Sequence, residues 1–444
     1  MAPLSSTIIK NATILSADRA NSVIKGDLHI EAGKIAGIYP GGLQELPDGE
    51  IITATDCLVC PGFIQSHVHL TQTLFRGLAE DLPLIEWLKQ KIFPLEYAHN
   101  EQSVWASARL GIAELMLSGT TAILDMGGLK HTQTIFEAAE NMNFRLSCGK
   151  GMSDYGISPF FESTEKNMQD SVDLANRWHN TKNGLLRYAF APRFLLSCTP
   201  ELVKMTVEEA RKRACRLHTH AAENAQETKI VEEKFGKGNI EALADLNFIG
   251  NDVILAHCIW LNEQEISLLA STNTHVAHCP STNLKLASGI SDVVNLKKAG
   301  VNVSLGADGP PCNNRLDQMG EMRQCGLVAK LKHGPVALAA ADIFRMATIN
   351  SARALGIDDK VGSIEVGKDA DIVIIKPGLQ AEPITDPFTA LVYSCLPNDV
   401  KDVFIRGQRM VENGHLKLHD RDALVSDARI QQFHLINRLP PSSL

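Results

Sequence analysis

Short apolar runs alternate with longer stretches of helical period through the middle of the chain. The runs are GFIQSHVHL, TTAILDM, FRLSCGK, LRYAFAPRF, CRLHTHAAE, VILAHCI, THVAHCPS and NVSLGAD, eight in all. Helical stretches such as QSVWASARLGIAELMLSG, ending in Gly119, and QTIFEAAENMN separate most of them. Eight strand–helix units predict an α/β chain built on a closed (β/α)8 TIM-like barrel, whose chemistry sits at the C-terminal ends of its strands. An open doubly wound sheet is the alternative, but no G-x-G-x-x-G follows the first strand. The two ends of the chain follow a different rule. STIIKNATIL, SVIKGDLHIEAGKIAGIY and EIITATDCLVC alternate apolar and polar residues between Gly and Asn turns, and so do VGSIEVGKDADIVIIKPG and NDVKDVFIRGQRMVENGH. That period predicts short antiparallel strands. The expected organisation is a small β-sandwich made by both chain ends, residues 1–60 and 365–444 with a tail, around a barrel at 61–364.

Composition narrows the function. The 444 residues are 44% hydrophobic and 21% charged, enough to bury a large core. The net charge of −8 argues against nucleic acid as a partner, because phosphate neutralisation needs a basic surface. No apolar run approaches the ~20 residues that span a bilayer. No export signal is visible in MAPLSSTIIKNATILSAD, so a cytoplasmic location is expected. Ten scattered Cys, several within apolar runs, read as buried reduced thiols. The lone C-x-x-C of Cys57 and Cys60 reads as strand packing.

Polar groups gather where barrel strands end. His67 and His69 are two apart, so on an extended strand they share a face, which makes half a metal site. His218 and His220 repeat the spacing on another strand, with Glu223 three residues beyond. VILAHCI leads apolar residues to His257, and NVSLGAD ends in Asp308. A carboxylate ending a buried strand requires a partner. Several imidazoles and one carboxylate on different strand ends can converge on a single ion, and a hydrogen-bonded histidine network is the metal-free alternative.

Taken together, PGFIQSHVHLTQTLFRG, HTHAAEN, LAHCIWLNEQE, VAHCPSTNLKLASG and LGADGPPCNN resemble the amidohydrolase superfamily over essentially the whole chain. They are most similar to its branch of hydrolytic deaminases and chlorohydrolases of purines, adenosine-like nucleosides and s-triazines. Within that branch the deaminases of 5′-deoxyadenosine, methylthioadenosine and S-adenosylhomocysteine fit best. The resemblance implies a cytoplasmic, commonly oligomeric enzyme that turns an amino-purine nucleoside into its inosine analogue and ammonia. It implies that His67, His69, His220 and Asp308 hold one divalent metal per subunit, zinc first and ferrous iron as rival. His218 is the rival fourth ligand. Glu223 is implied as proton carrier, Asp308 as a second proton acceptor, and His257 as the group touching the attacking water or the developing anion. The bridging Lys of binuclear relatives is missing from LRYAFAPRF, and Lys150 ends the preceding strand, so a mononuclear site is expected.

The same resemblance implies that Glu96, 27 residues beyond His69, binds ribose hydroxyls. The bland alternative is a solvated helix Glu. Trp87 is expected to wall the pocket or simply to pack. Arg193 and Phe194 look more like guanine deaminases, with Arg meeting the purine and Phe stacking on it. A pairing of Arg193 with Asp125 or Asp154 is the other reading of that residue. Asn283 and Asn313 are expected to line the pocket. Guanine deamination and chloride displacement from a triazine are therefore close rivals, and a barrel scaffold without chemistry is a remote one.

Overall fold

A computed structural model describes residues 6–439. It contains two sheets and two compact units. The first unit comprises residues 1–65, 113–122 and 317–420, and the second residues 66–112, 123–316 and 421–444.

In the first unit the strands are β1 (Thr7–Leu15), β2 (Val23–Glu31), β3 (Lys34–Pro40), β4 (Glu50–Thr53) and β5 (Leu58–Pro61). Most of the remaining strands, β6 to β14, form the parallel sheet described below. The chain then returns with β15 (Ile372–Ile375), β16 (Val400–Ile405), β17 (Gln408–Glu412) and β18 (His415–Leu416). These strands of the two chain ends hydrogen-bond into one sheet, ordered β18-β17-β16-β15-β5-β1-β2-β3 with β4 on β1. Ile9, Ile14, Leu28, Ile30, Ile35, Ile372, Ile374 and Phe404 share its core, which is how both chain ends come to form one β domain. The strands are not all antiparallel as the alternation suggested, because β1 runs parallel to β4 and to β5. The first half of VGSIEVGKDADIVIIKPG is turn rather than strand; Ile372–Ile375 forms the strand, and Asp369 makes an isolated bridge with Lys34. Asp402 of β16 is fully buried and is held by Arg409 of β17 at 2.6 Å, with the backbone N–H of Asn413 donating at 3.0 Å.

The parallel sheet is ordered β14-β13-β12-β11-β10-β8-β7-β6, eight strands matching the eight predicted runs. They are β6 (Phe63–Val68), β7 (Thr120–Asp125), β8 (Arg145–Cys148), β10 (Leu186–Pro192), β11 (Arg216–Ala221), β12 (Val253–His257), β13 (His275–His278) and β14 (Val303–Leu305), with the short β9 (Gly151–Met152) on β10. Their residues are buried almost without exception, as expected of parallel strands covered on both faces. The first and last strands meet through a parallel bridge between Val68 and Asp308, and Ser66 Oγ lies 2.7 Å from Ser304 Oγ. Closure requires Gly306, because a Cβ there would lie 2.6 Å from the carbonyl oxygen of His67.

The insertion after β6 is tied down by the last helix, Arg421–Ile436. Gln432 donates to the Leu74 carbonyl at 2.6 Å, and Arg438, just beyond the helix, donates to the Ala98 carbonyl at 2.6 Å. None of the ten cysteines forms a disulfide, and all are buried. Among the described residues no helix is long and apolar enough to cross a membrane.

Breaking a buried ion pair from one side leaves an uncompensated charge. Replacing Arg409 by Met is expected to destabilise the first unit by about 3 kcal/mol, read as a lower urea midpoint. An unchanged midpoint would show that Asp402 is satisfied without its guanidinium.

Candidate active site

Strand ends deliver the four predicted ligands to one point. The Nε2 atoms of His67 and His69 each lie 3.3 Å from Asp308 Oδ1, and His69 Nε2 lies 3.3 Å from His220 Nε2. All four donor atoms lie within 4.8 Å of one another. Bonds of about 2.0–2.1 Å to a tetrahedral ion would set neighbouring donors about 3.3 Å apart.

Hydrogen bonds behind the rings decide which nitrogen faces the centre. His218 Nδ1 donates to the Ile254 carbonyl at 3.0 Å, so its Nε2 accepts from His67 Nδ1 at 2.7 Å. The bare Nε2 of His67 therefore points inward, with no hydrogen-bond partner. His220 Nδ1 donates to the Arg193 carbonyl at 2.7 Å, which bares its Nε2 in the same way. Burial holds His67, His69 and His220 well below the usual imidazole range, so all three are neutral donors. The bare Nε2 of His67 faces an Asp308 carboxylate oxygen at 3.3 Å, two acceptors that repel unless a cation lies between them. The donor set thus fits a divalent ion better than a metal-free histidine network. His218 stands behind His67 as its support rather than in the fourth ligand position.

Two further groups border this centre. His257 Nε2 lies 3.7 Å from Glu223 Oε2 and 3.9 Å from Asp308 Oδ2. Burial raises the Glu223 carboxyl well above its usual range, and the neighbouring Asp308 and Glu227 add to the effect. Burial also pushes Asp308 upward, but His69, His257, His220 and the Cys312 thiol outweigh it and hold the group low. The strand ends are bent to achieve this. Ala222, His257, Cys258 and Asp308 all have left-handed backbone, with φ of +49°, +73°, +47° and +61°. Such conformations in non-glycine residues cost energy and cluster at functional sites.

A pocket beside the donor set is lined by His69, Gln72, Arg193, Phe194, Glu223 and Asp308, with Leu84, Trp87, Leu88 and Leu286 as apolar walls. Trp87 both packs and lines, its Nε1 donating to the Ala79 carbonyl at 3.0 Å. Glu96 is not solvated: it is 2% exposed. Its Oε2 accepts from Arg193 Nη1 and its Oε1 from Gln72 Nε2, each at 2.8 Å. Arg193 therefore pairs with Glu96, and neither Asp125 nor Asp154 is its partner. Asp125 instead accepts from the backbone N–H of Leu70 at 2.7 Å, and Asp154 from that of Thr199 at 2.7 Å. Asn283 is not on the pocket wall. It sits behind His257, its Oδ1 accepting from His257 Nδ1 at 3.0 Å. Asn313 donates to the Ala307 carbonyl at 2.7 Å and so braces the loop after β14. Lys150 lies away from the ligands and pairs with Glu162 and Asp170. Gln72, not singled out in the sequence, carries a signal in hindsight: it is a polar residue in the apolar run after His69, and its Oε1 is buried without a partner.

The amidohydrolase family profile matches residues 58–410, and the chain belongs to that family. A 5′-deoxyadenosine deaminase of Methanosarcina acetivorans is 33% identical over 436 residues, 97% of this chain and 98% of its own. A 5-methylthioadenosine/S-adenosylhomocysteine deaminase of Syntrophobacter fumaroxidans is 36% identical over 410 residues, 91% of this chain and 92% of its own. Among solved structures, an adenosine deaminase from Xanthomonas campestris with bound zinc superposes with a TM-score of 0.92 at 29% identity, covering 97% of this chain and 98% of that one. The branch that the strand-end motifs implied is the one these relatives occupy.

His218 fixes the tautomer of His67, and supports of this kind behind a metal-binding imidazole are worth about 10–100-fold in metal affinity. His218→Phe is expected to weaken metal retention by about that factor in chelator competition. Retention equal to that of the unmodified chain would remove His218 from the support of His67.

Proposed function

We propose that the chain is a metal-dependent hydrolytic deaminase of amino-purine nucleosides of the 5′-deoxyadenosine, methylthioadenosine and S-adenosylhomocysteine type, releasing ammonia and the inosine analogue. One observation carries the reading: a three-histidine, one-aspartate donor set converges beside a pocket that also holds a buried carboxyl, Glu223, which burial pushes well above its usual range. The names of the relatives supply the substrate class.

His67, His69, His220 and Asp308 would hold a single divalent ion. Zinc is favoured by the nitrogen and oxygen donors and by the zinc-bound neighbour. When bound, such an ion lowers the pKa of water toward neutrality and so supplies a nucleophile at pH 7. Glu223, protonated, gives its proton to the ring nitrogen beside the carbon under attack, so charge does not accumulate on the ring. Asp308 takes the proton of the attacking water and passes it to the departing amine. With its Nδ1 donating to Asn283 Oδ1, His257 turns Nε2 toward Glu223 and Asp308, where it would orient the attacking water and steady the added oxygen. The remaining proton of that oxygen returns to the Glu223 carboxylate as the ring carbonyl forms, which restores the starting carboxyl. Phe194 offers a face for a flat base, and Arg193 offers guanidinium donors to its ring acceptors. Glu96 is gripped by Arg193 and Gln72, two residues of the pocket lining, and is the candidate for the ribose hydroxyls.

Arg193 and Phe194 on the pocket wall also suit a guanine-type base, which is the second reading. Ammonia release measured with 5′-deoxyadenosine, methylthioadenosine, S-adenosylhomocysteine and guanine, and chloride release with a chlorotriazine, separates the two. Turnover of the adenosine-like substrates is expected, and turnover of guanine alone would overturn the nucleoside assignment. Glu223→Gln is expected to keep its metal and to lose about 10²–10⁴-fold in kcat. Full turnover in that variant would remove Glu223 as the proton carrier. Metal analysis of protein purified without added metal is expected to give about one zinc per chain, whereas iron would reassign the ion.

A further inference from the structure

The loop after β11 contains a second buried carboxylate that this chemistry does not use. Glu227 is 1% exposed, and among the described residues no Lys, Arg or His forms an ion pair with it. Its oxygens are nevertheless fully committed. Oε2 accepts from the backbone N–H of Glu223 at 2.7 Å and, more weakly, from that of Asn224 at 3.4 Å. Oε1 accepts from Asn239 Nδ2 at 3.0 Å.

The ordinary account of this residue is a capping box, since Asn224 is the N-cap of the helix Ala225–Phe235 and Glu227 is its third residue. Two features exceed that account. A capping-box Glu bonds the N-cap N–H, whereas the short bond here is displaced by one residue onto Glu223. A surface cap is also solvated, whereas this carboxylate is buried without a cation, an arrangement that costs energy unless its acceptor capacity is needed. The need lies in the backbone. β11 ends at Ala221, Ala222 turns into the left-handed region at φ +49°, and Glu223 follows immediately. Glu223 thus stands on a strained bend, in neither the strand nor the helix. Its own N–H is the group through which it can be anchored.

We infer that Glu227 is a positioning residue for the proposed proton carrier: by clamping the Glu223 backbone to Asn239, it fixes where the Glu223 carboxyl stands relative to His257 and Asp308. This rests on the reading of Glu223 given above. It assigns Glu227 no contact with substrate or metal.

The test separates positioning from folding. Glu265 is the matched control. It is a buried carboxylate capping a later helix, Glu263–Thr272, and it accepts from the backbone N–H groups of Asn262 at 3.0 Å and Ile240 at 2.9 Å. Glu227→Ala is expected to lower kcat by about tenfold or more with KM within about twofold, at unchanged metal content per chain. Glu227→Gln retains a carbonyl acceptor and is expected to restore kcat to within about threefold of the unmodified enzyme. Glu265→Ala is expected to lower thermal stability comparably and to leave kcat within about twofold. Should Glu227→Ala fail to fold, Asn239→Leu removes the other end of the clamp and is expected to show the same kcat-selective loss. Equal kcat in Glu227→Ala and the unmodified enzyme would overturn the inference. So would an equal loss in Glu265→Ala, or no recovery in Glu227→Gln. Turnover retained by Glu223→Gln would instead strike the reading of Glu223 itself, so the two failures are distinguishable.

Discussion

Everything at the centre depends on where three imidazoles keep their protons. A neutral ring has one N–H and one lone pair, and whichever nitrogen is tied to a fixed partner decides the direction of the other. His67 is tied through His218 to the Ile254 carbonyl, and His220 is tied to the Arg193 carbonyl. Both carbonyls belong to the barrel strands or their immediate ends, so the rigid sheet sets the tautomers. The bridge between Val68 and Asp308 then carries the one anionic donor to the same place from the last strand. Closure of the sheet and assembly of the donor set are one event.

What could be read from the sequence follows from this. A period of two puts His67 and His69 on one face, and the barrel rule puts strand ends together. The eight strands and the convergence of His67, His69, His220 and Asp308 were therefore legible. What could not be read were contacts between side chains whose distance along the chain is large and whose direction is set by loops. The Glu96–Arg193 pair joins residues 97 apart, and the sequence suggested two other partners for Arg193. Asn283 looked like a wall residue, but a short helix after β13 turns it behind His257. In the terminal sheet the alternation gave the strands but not their sense. Polarity period says which face is buried, whereas the parallel pairing of β1 with β4 and β5 comes from how the connecting turns run.

The wall facing the donor set is made differently from the donor set itself. The donor residues stand at strand ends, while on the pocket wall Gln72, Leu84, Trp87 and Leu88 come from the insertion after β6, and Arg193 and Phe194 from the end of β10. A centre on strand ends beside a wall drawn largely from one insertion is the kind of division that lets related barrels keep one arrangement while changing its surroundings.

The anchoring of that insertion by the final helix has a consequence for biogenesis. Leu74 and Ala98 precede the groups that hold their carbonyls, Gln432 and Arg438, by 358 and 340 residues, and so leave the ribosome long before them. His67, His69 and His220 can be translated and the barrel begun well before the insertion beside them is secured. A nascent chain stalled before Gln432 would carry these strand ends beside an insertion still untethered.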